Sequence, residues 1–333
     1  MMKGEVLYTP VLLLAFNRPE QTRQVFNSIR EAQPQKLYVA VDAPREGRED
    51  DIVNCEEVKK IVQSVDWPCE THYWFRDKNL GCSRSGYLAW DWVFQSEDRM
   101  IFIEDDGLAT KSAFFFVQDM LERYKDDTRV AYVGAVNHKF QYGDASYFFS
   151  RYPDSTYFMG TWKRVHQLFE YNLDSFPTTC KQDSYKQSFW GCVEKQIQER
   201  IFKYYIARLH SEYPSNSYDI QMTYLSYKYN MYSIYPNINM VSNIGTESGA
   251  NHCNQSNSKH VKEFGYRPRF DMQDIKYCDN VSVDIEFEKV FFKQRTLWGK
   301  SVFRVWAKFF LLQYFGRIYY RYIKPILYKM KAR

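Results

Sequence analysis

The strongest constraint on this chain is an alternation in its first third: short apolar runs stop at polar clusters, and each is followed by a stretch with helical spacing. Val11 to Phe16 ends at Asn17-Arg18-Pro19, and from Glu20 to Ala32 the apolar residues Val25, Ile29 and Ala32 recur at helical intervals. Leu37 to Val41 is a second strand, stopped by Asp42-Ala43-Pro44 and followed by a charged helical segment from Glu46 to Val65. A third strand near Glu70 to Phe75 leads into Arg76-Asp77-Lys78-Asn79-Leu80-Gly81, then a helix over Gly86 to Ser96. Arg99 to Ile103 is a fourth strand and runs into Glu104-Asp105-Asp106. Strands that alternate with helices predict an α/β fold with a mostly parallel sheet and helices on both faces. Beyond Val130 the pattern loosens into short strands and Tyr-rich loops, with helices expected near Trp162 to Tyr171, Phe189 to His210 and Ile220 to Tyr229.

Sheets of this kind bind ligands where their strands end at the carboxyl edge. Three such ends carry polar clusters here: Asn17 with Arg18, Asp42, and Glu104 to Asp106. Three carboxylates emerging together repel one another unless a cation joins them. All-oxygen ligation suits Mg2+ or Mn2+, which take one or two carboxylates and draw their other ligands from phosphates and water. A solvated acidic turn is the competing reading, and its position at the end of a buried strand weighs against it.

Charge and cysteine usage exclude other classes. The net charge is +5, yet residues 293 to 333 hold 11 Lys or Arg and no acid, so the basicity belongs to the tail. No nucleic-acid-binding module accompanies it, and nucleic acid is not an expected partner. Seven cysteines, odd in number and without CxxC or Cys/His ligand spacing, point to a reduced cytosol. Met1 to Tyr8 lacks the pattern of a secretory signal, and no run approaches the roughly 18 apolar residues of a membrane span.

Six blocks in order carry a family resemblance. They are Pro10-Val11-Leu12-Leu13-Leu14-Ala15-Phe16-Asn17-Arg18-Pro19, Val39-Ala40-Val41-Asp42, Asn79-Leu80-Gly81-Cys82 and Ile101-Phe102-Ile103-Glu104-Asp105-Asp106, then Phe158 to Arg164 and Tyr235 to Gly245. In these the chain resembles GT-A glycosyltransferases, specifically bacterial family 2-like enzymes, and more distantly the eukaryotic N-acetylglucosaminyltransferases that begin complex N-glycan branches. The resemblance spans residues 10 to about 252. It implies a GT-A fold with a donor-binding half at 8–130 and an acceptor half at 131–285; a basic, aromatic helical tail occupies 286–333. It also implies metal-dependent, inverting transfer of a hexosyl or N-acetylhexosaminyl group from a nucleotide sugar, with UDP expected ahead of GDP. The acceptor would be a glycan or lipid-linked intermediate of surface polysaccharide or lipopolysaccharide synthesis.

The resemblance assigns roles residue by residue. Asp106 is the expected metal ligand, with Glu104 and Asp105 toward the ribose and the ion's surroundings. Asp42 is expected to bond the base, with Phe16, Asn17 and Arg18 lining the same pocket; a surface ion pair is the alternative for Arg18. Arg76 and Arg84 flank Asn79-Leu80-Gly81 and either engage phosphate or the donor sugar or are plain surface charges. Asp219 is the expected general base, because an acceptor hydroxyl must lose its proton as it attacks. Helix capping is the equally weighted alternative, and Asp174, Asp183 and Glu194 are weaker rivals. His252 matches a position near the diphosphate and is a second candidate metal ligand. Gly160, Thr161 and Trp162 are expected to contact the acceptor or sugar ring. The stretch from Gly245 to His252 departs from the family's usual Phe-Gly after the first glycine, which leaves its grip on the donor open.

In the tail, Lys300, Arg304 and Lys308 recur at i, i+4, with Val302, Trp306, Phe309 and Phe310 on another side. That is the pattern of an interfacial amphipathic helix, which implies an anionic membrane surface as partner and a peripheral place on the inner face of the cell membrane. A terminal helix that packs its aromatic face on the domain, or on a second subunit, is the alternative. Two further readings stand against a glycosyltransferase. A sugar-nucleotide nucleotidyltransferase needs a Gly-rich phosphate loop where Asn17-Arg18-Pro19 stands, and a non-catalytic sugar- or membrane-surface-binding protein would keep the fold without turnover.

Overall fold

The computed structural model describes residues 6–137, 141–153, 157–209, 218–245 and 267–323. The chain divides into two compact units, residues 1–168 with 232–284 and residues 169–231 with 285–333.

The first unit opens as the alternation requires: β1 (Val11–Ala15), α1 (Pro19–Ala32), β2 (Lys36–Val41), α2 (Glu49–Val62), β3 (Glu70–Phe75), α3 (Cys82–Val93) and β4 (Arg99–Glu104). There follow β5 (Gly107–Ala109), α4 (Lys111–Arg123), β6 (Val130–Gly134), β7 (Tyr147–Ser150), β8 (Phe158–Trp162) and the single turn α5 (Lys163–His166). After the chain's excursion into the second unit, β9 (Tyr232–Pro236) and β10 (Val241–Asn243) complete it. Eight strands form one sheet in the order β3-β2-β1-β4-β8-β6-β9-β7, and β5 pairs with β10 in a small second sheet.

The α/β class read from the sequence holds, with a parallel sheet through β3, β2, β1 and β4. Beyond β4 the sheet is mixed: β8 lies antiparallel between β4 and β6, β9 is parallel to β6, and β7 is antiparallel to β9. Every residue of β1 is buried, as are Leu37 to Val41 and Met100 to Ile103. Each such large aliphatic contributes roughly 1.5–3 kcal/mol by leaving water, which explains why these runs are apolar throughout rather than alternating.

One expectation is corrected here. The helix expected from Trp162 to Tyr171 is only the single turn Lys163–His166, because Trp162 still belongs to β8, which pairs with both β4 and β6, and 167–171 is turn and loop. Gly160 sits where a Cβ would collide with Val117 Cγ1 and stand 3.0 Å from Leu121 Cδ1, so glycine lets α4 approach the sheet.

The second unit is helical: α6 (Phe176–Thr179), α7 (Asp183–Gln187), α8 (Cys192–Leu209), α9 (Asp219–Tyr229), α10 (Ile285–Phe291) and α11 (Val302–Ile318), with π-helical turns at Phe292–Thr296 and Tyr319–Ile323. The basic tail begins as a packed helix. Arg200 on α8 donates to Gln313 Oε1 at 3.0 Å and lies over the rings of Trp306 and Phe310, while Tyr204 bonds Tyr320. Ser301 caps α11 by accepting from the Arg304 amide at 3.4 Å. The opposite face leaves Phe303, Leu311, Tyr314, Phe315, Ile318 and Tyr322 exposed. No helix of the described residues is long and apolar enough to cross a membrane, and no disulfide joins two of the six described cysteines.

Gly160→Ala should lower unfolding stability by about 1–3 kcal/mol, the usual cost of overfilling a packed core. Urea denaturation measures this; an unchanged midpoint would show that Val117 and Leu121 yield freely.

Candidate functional site

The parallel register builds the site. It brings Ala15, Val41, Phe75 and Glu104 to the same edge of the sheet. The ladder then runs one residue further: the amide of Asp42 donates to Ala15 at 3.1 Å, that of Arg76 to Val41 at 3.1 Å and that of Asp105 to Leu14 at 3.0 Å. Phe16, Asp42, Arg76 and Asp105 are therefore the first residues beyond adjacent strands. This is the carboxyl edge at which parallel sheets bind their ligands.

At the centre lies a charge cluster. Arg18 Nη1 donates to Asp106 Oδ2 at 2.9 Å and stands 3.6 Å from Asp105 Oδ1. Asp105 is buried and accepts the Phe16 amide on Oδ2 at 3.1 Å. Burial pushes the Asp105 carboxyl up to about 6, against the opposing effect of Arg18 and with some reinforcement from Asp106. Arg18 is itself desolvated, but Asp105 and Asp106 outweigh that and hold its guanidinium more firmly charged. The second sheet ties this cluster to a distant segment. Asn243 pairs with Gly107, and the Ile244 amide donates to the Asp106 carbonyl at 2.9 Å. Gly245 then packs so closely that a Cβ there would collide with Asp106 Oδ2 and stand 2.9 Å from Arg18 Nη1.

Asp42 is turned to backbone. Its Oδ1 accepts the amides of Ala43 at 3.1 Å and Leu80 at 3.0 Å, and its Oδ2 accepts those of Leu80 at 3.1 Å and Gly81 at 3.0 Å. Burial raises its pKa and these N–H bonds oppose the rise. The carboxylate expected to bond a base thus fixes the 79–81 loop. Asn79 completes that fixation by donating to the Ala43 carbonyl at 2.7 Å, and Gly81 adopts φ 74° just before α3 begins.

Asn17 donates to Asp51 Oδ1 at 2.6 Å. Asp51 is fully buried and takes a two-pronged bond from Arg45, Nε to Oδ2 at 2.6 Å and Nη2 to Oδ1 at 2.9 Å. That hydrogen bonding holds Asp51 down to about 2. The Arg45 guanidinium lies over the Phe16 ring, 5.6 Å from its centroid. Sequence reasoning missed Arg45 and Asp51. Arg45 follows a strand-end proline and Asp51 hides in an acid-rich helix start, so only their contact with the Asn17 segment marks them.

Arg76 is buried, donates Nη2 to the Ser85 carbonyl at 2.9 Å and stacks 3.9 Å from the Trp74 centroid. Its Nε has no partner among the described residues. Burial lowers its pKa, with Asp42 opposing. Arg84 is exposed on the first turn of α3, and Glu104 closes β4, half-buried.

Other expected site residues fall elsewhere. Gly160, Thr161 and Trp162 do not face a ligand: Thr161 Oγ1 donates to the Ala131 carbonyl at 3.0 Å, and Trp162 is buried, with Nε1 on the Leu121 carbonyl at 3.2 Å. Their side chains are core, as befits a central strand. Asp219 is in the second unit, exposed at the first helical position of α9; the cap position belongs to Tyr218, which makes no side-chain capping bond. Glu194 is ruled out as a base by its place in the second unit's core, accepting the Trp190 amide at 2.8 Å and the Tyr227 hydroxyl at 2.6 Å. His252 lies outside the described residues.

No three His, Cys, Asp or Glu side chains among the described residues cluster as a metal cage. Asp106 Oδ1, however, is buried and has no hydrogen-bond partner among the described residues. One open carboxylate oxygen fits an Mg2+ or Mn2+ ion held mainly by phosphate and water.

No protein-family model matches the sequence, and no curated protein does. Solved structures similar in shape include a mannosyltransferase from Pyrobaculum calidifontis in complex with GDP-Man and Mn2+, 10% identical, covering 67% of this chain and 70% of that one at a TM-score of 0.37. A 4-diphosphocytidyl-2C-methyl-D-erythritol synthase from Anaerococcus prevotii is 8% identical, with 67% and 85% covered and a TM-score of 0.32. A UDP-glucose pyrophosphorylase complexed with UDP-glucose is 8% identical, with 48% and 70% covered and a TM-score of 0.27.

The raised carboxyl of Asp105 makes a pH prediction. An unfolded aspartate titrates near pH ~4, so between about pH 4 and 6 the folded state binds the extra proton and stability falls as pH rises. Urea midpoints of the wild type, taken relative to Asp105→Asn, should therefore decline from pH 4 to 6 and level off above. A flat difference would mean that Asp105 titrates normally.

Proposed function

We propose that the carboxyl edge of the first unit is the donor site of a glycosyltransferase that uses a nucleotide sugar, with UDP-sugars as the preferred class. The observation that carries this reading is the convergence of Arg18, Asp105 and Asp106 beside the Gly245 backbone. It joins an ordered cation, a carboxylate oxygen open to a metal, and a close-packed backbone at the edge where parallel sheets take nucleotides.

Asp106 would hold the metal through Oδ1, and Arg18 would face the diphosphate, whose paired oxygens can accept the two-pronged donors of a guanidinium. When bound, Mn2+ or Mg2+ supplies Lewis-acid stabilisation of the departing diphosphate. Asp42 serves the nucleotide through the 79–81 loop it fixes, and Phe16 with Arg45 offers a flat, charged surface beside it. In the inverting reaction, the acceptor oxygen bonds to the anomeric carbon as the bond to the diphosphate breaks. The electron pair leaves with the diphosphate, and the acceptor proton passes to a carboxylate on the acceptor side.

A nucleotidyltransferase is disfavoured by the turn between β1 and α1. Only Phe16, Asn17 and Arg18 connect Ala15 to Pro19, without the glycines that cradle phosphates. A non-catalytic binding role is separated from enzymatic turnover by the first experiment below.

For the second unit the reading adds an anionic membrane surface. On α11, Phe303 is 75% exposed and Tyr314 62% exposed, among Lys300, Arg304, Lys308, Arg317 and Arg321 and with no acid from residue 293 onward. Basic residues near such a surface contribute about 1 kcal/mol each, and exposed aromatics add apolar burial. An odd number of cysteines without ligand spacing suits a reduced, cytoplasmic compartment. A lipid-linked acceptor of surface-glycan synthesis suits that place.

Calorimetry with UDP and Mn2+ tests the donor site. Asp106→Asn should weaken metal-dependent UDP binding tenfold or more, by about 1.4 kcal/mol at least. Metal-independent binding in every variant, or no turnover with any nucleotide sugar, would favour the non-catalytic reading. Co-sedimentation with anionic vesicles tests the tail: Phe303→Ser with Leu311→Ser, or added salt, should release the protein, and unaltered sedimentation would count against membrane docking.

A further inference from the structure

The acidic pair already has a cation. Arg18, its side chain 21% exposed, holds Asp106 Oδ2 at 2.9 Å and stands 3.6 Å from Asp105 Oδ1, while Gly245 closes over both Asp106 and Arg18. What remains available is the buried Oδ1 of the same Asp106 carboxylate. A divalent ion arriving there alone would share one carboxylate with a guanidinium. The two positive centres would lie a few ångströms apart in a partly desolvated cleft, where repulsion is weakly screened.

We infer that Arg18 is a positioning residue that keeps the divalent ion off Asp106 until a nucleoside diphosphate arrives, so that metal and nucleotide load together. The inference rests on the reading of this edge as a nucleotide-sugar site. The diphosphate supplies the negative charge that the carboxylates lack once Arg18 has neutralised part of theirs. It also gives the guanidinium a second anionic partner whose oxygens can accept two N–H bonds. Asp105, Asp106 and Glu104 are the acids whose charge reaches Arg18, so the balance is set within this cluster. Linkage then requires that whatever factor the nucleotide adds to metal affinity, the metal adds to nucleotide affinity.

The test is Mn2+ binding to the full-length protein, followed by electron paramagnetic resonance with and without UDP, in wild type, Arg18→Met, Arg18→Gln and Arg18→Lys. Circular dichroism checks that each variant is folded. Without nucleotide, the Met and Gln variants should bind Mn2+ about tenfold tighter than wild type, or more, whereas Lys, which keeps the charge, stays near wild type. The enhancement of Mn2+ affinity by UDP should shrink in Met and Gln. If a folded Met or Gln variant binds free Mn2+ no tighter than wild type, or if Lys gains as much as Met, the inference is overturned while the donor-site reading stands. If UDP fails to bind wild type or to raise its Mn2+ affinity, the donor-site reading itself fails, and the inference with it.

Discussion

β1 lies between β2 and β4 in parallel register, and the rest of the site depends on that alignment. Parallel strands hydrogen-bonded along their full length must end together, so the first residues to escape each ladder emerge side by side at one edge. A slip of one residue would turn every strand's side chains to the opposite face. It would also move Asp42 off the 79–81 loop and Asp105 away from the Phe16 amide. A slip that drew Asp42 or Asp105 into the apolar interior of the sheet is opposed, because it would bury a carboxylate away from its partners.

The edge concentrates acids that would otherwise repel, and each is stabilised by a different means. Asp42 is held by backbone amides, Asp51 by the Arg45 fork and Asn17, and Asp105 by one amide, Arg18 and an upward shift of its carboxyl. Of Asp42, Asp51, Asp105 and Asp106, Asp106 alone keeps a buried oxygen without a hydrogen-bond partner among the described residues. Polar groups left in that condition are costly, and their persistence at a ligand-binding edge is the usual mark of a site completed from outside.

The sequence made the strand ends legible because burial on both faces forces continuous apolar runs, and the first polar residues after such runs must lie at an edge. It was silent on Arg45 and Asp51, whose importance comes from meeting Asn17 across a crossover, a contact that no local spacing encodes. It misled at Gly160-Thr161-Trp162. A small residue beside a large aromatic resembles a sugar platform, but β8 is inserted antiparallel between β4 and β6 and takes those side chains into the core. The second unit was also opaque, since it joins residues 169–231 to 285–333 across an interval belonging to the first unit. Periodicity marks α8 and α9 as helices, yet not that α11 packs against α8.

The pairing of β5 with β10, and the bond from the Ile244 amide to Asp106, join segments far apart along the chain. Contacts between distant segments carry a large loop-closure entropy and form late in folding. During synthesis, the strands that carry Arg18 and the acids leave the ribosome well before Gly245. A nascent chain can therefore assemble the parallel core early while its acidic edge stays open. The closing of the edge over Asp106 must await the synthesis of Gly245, so the parallel core can form before that edge is closed.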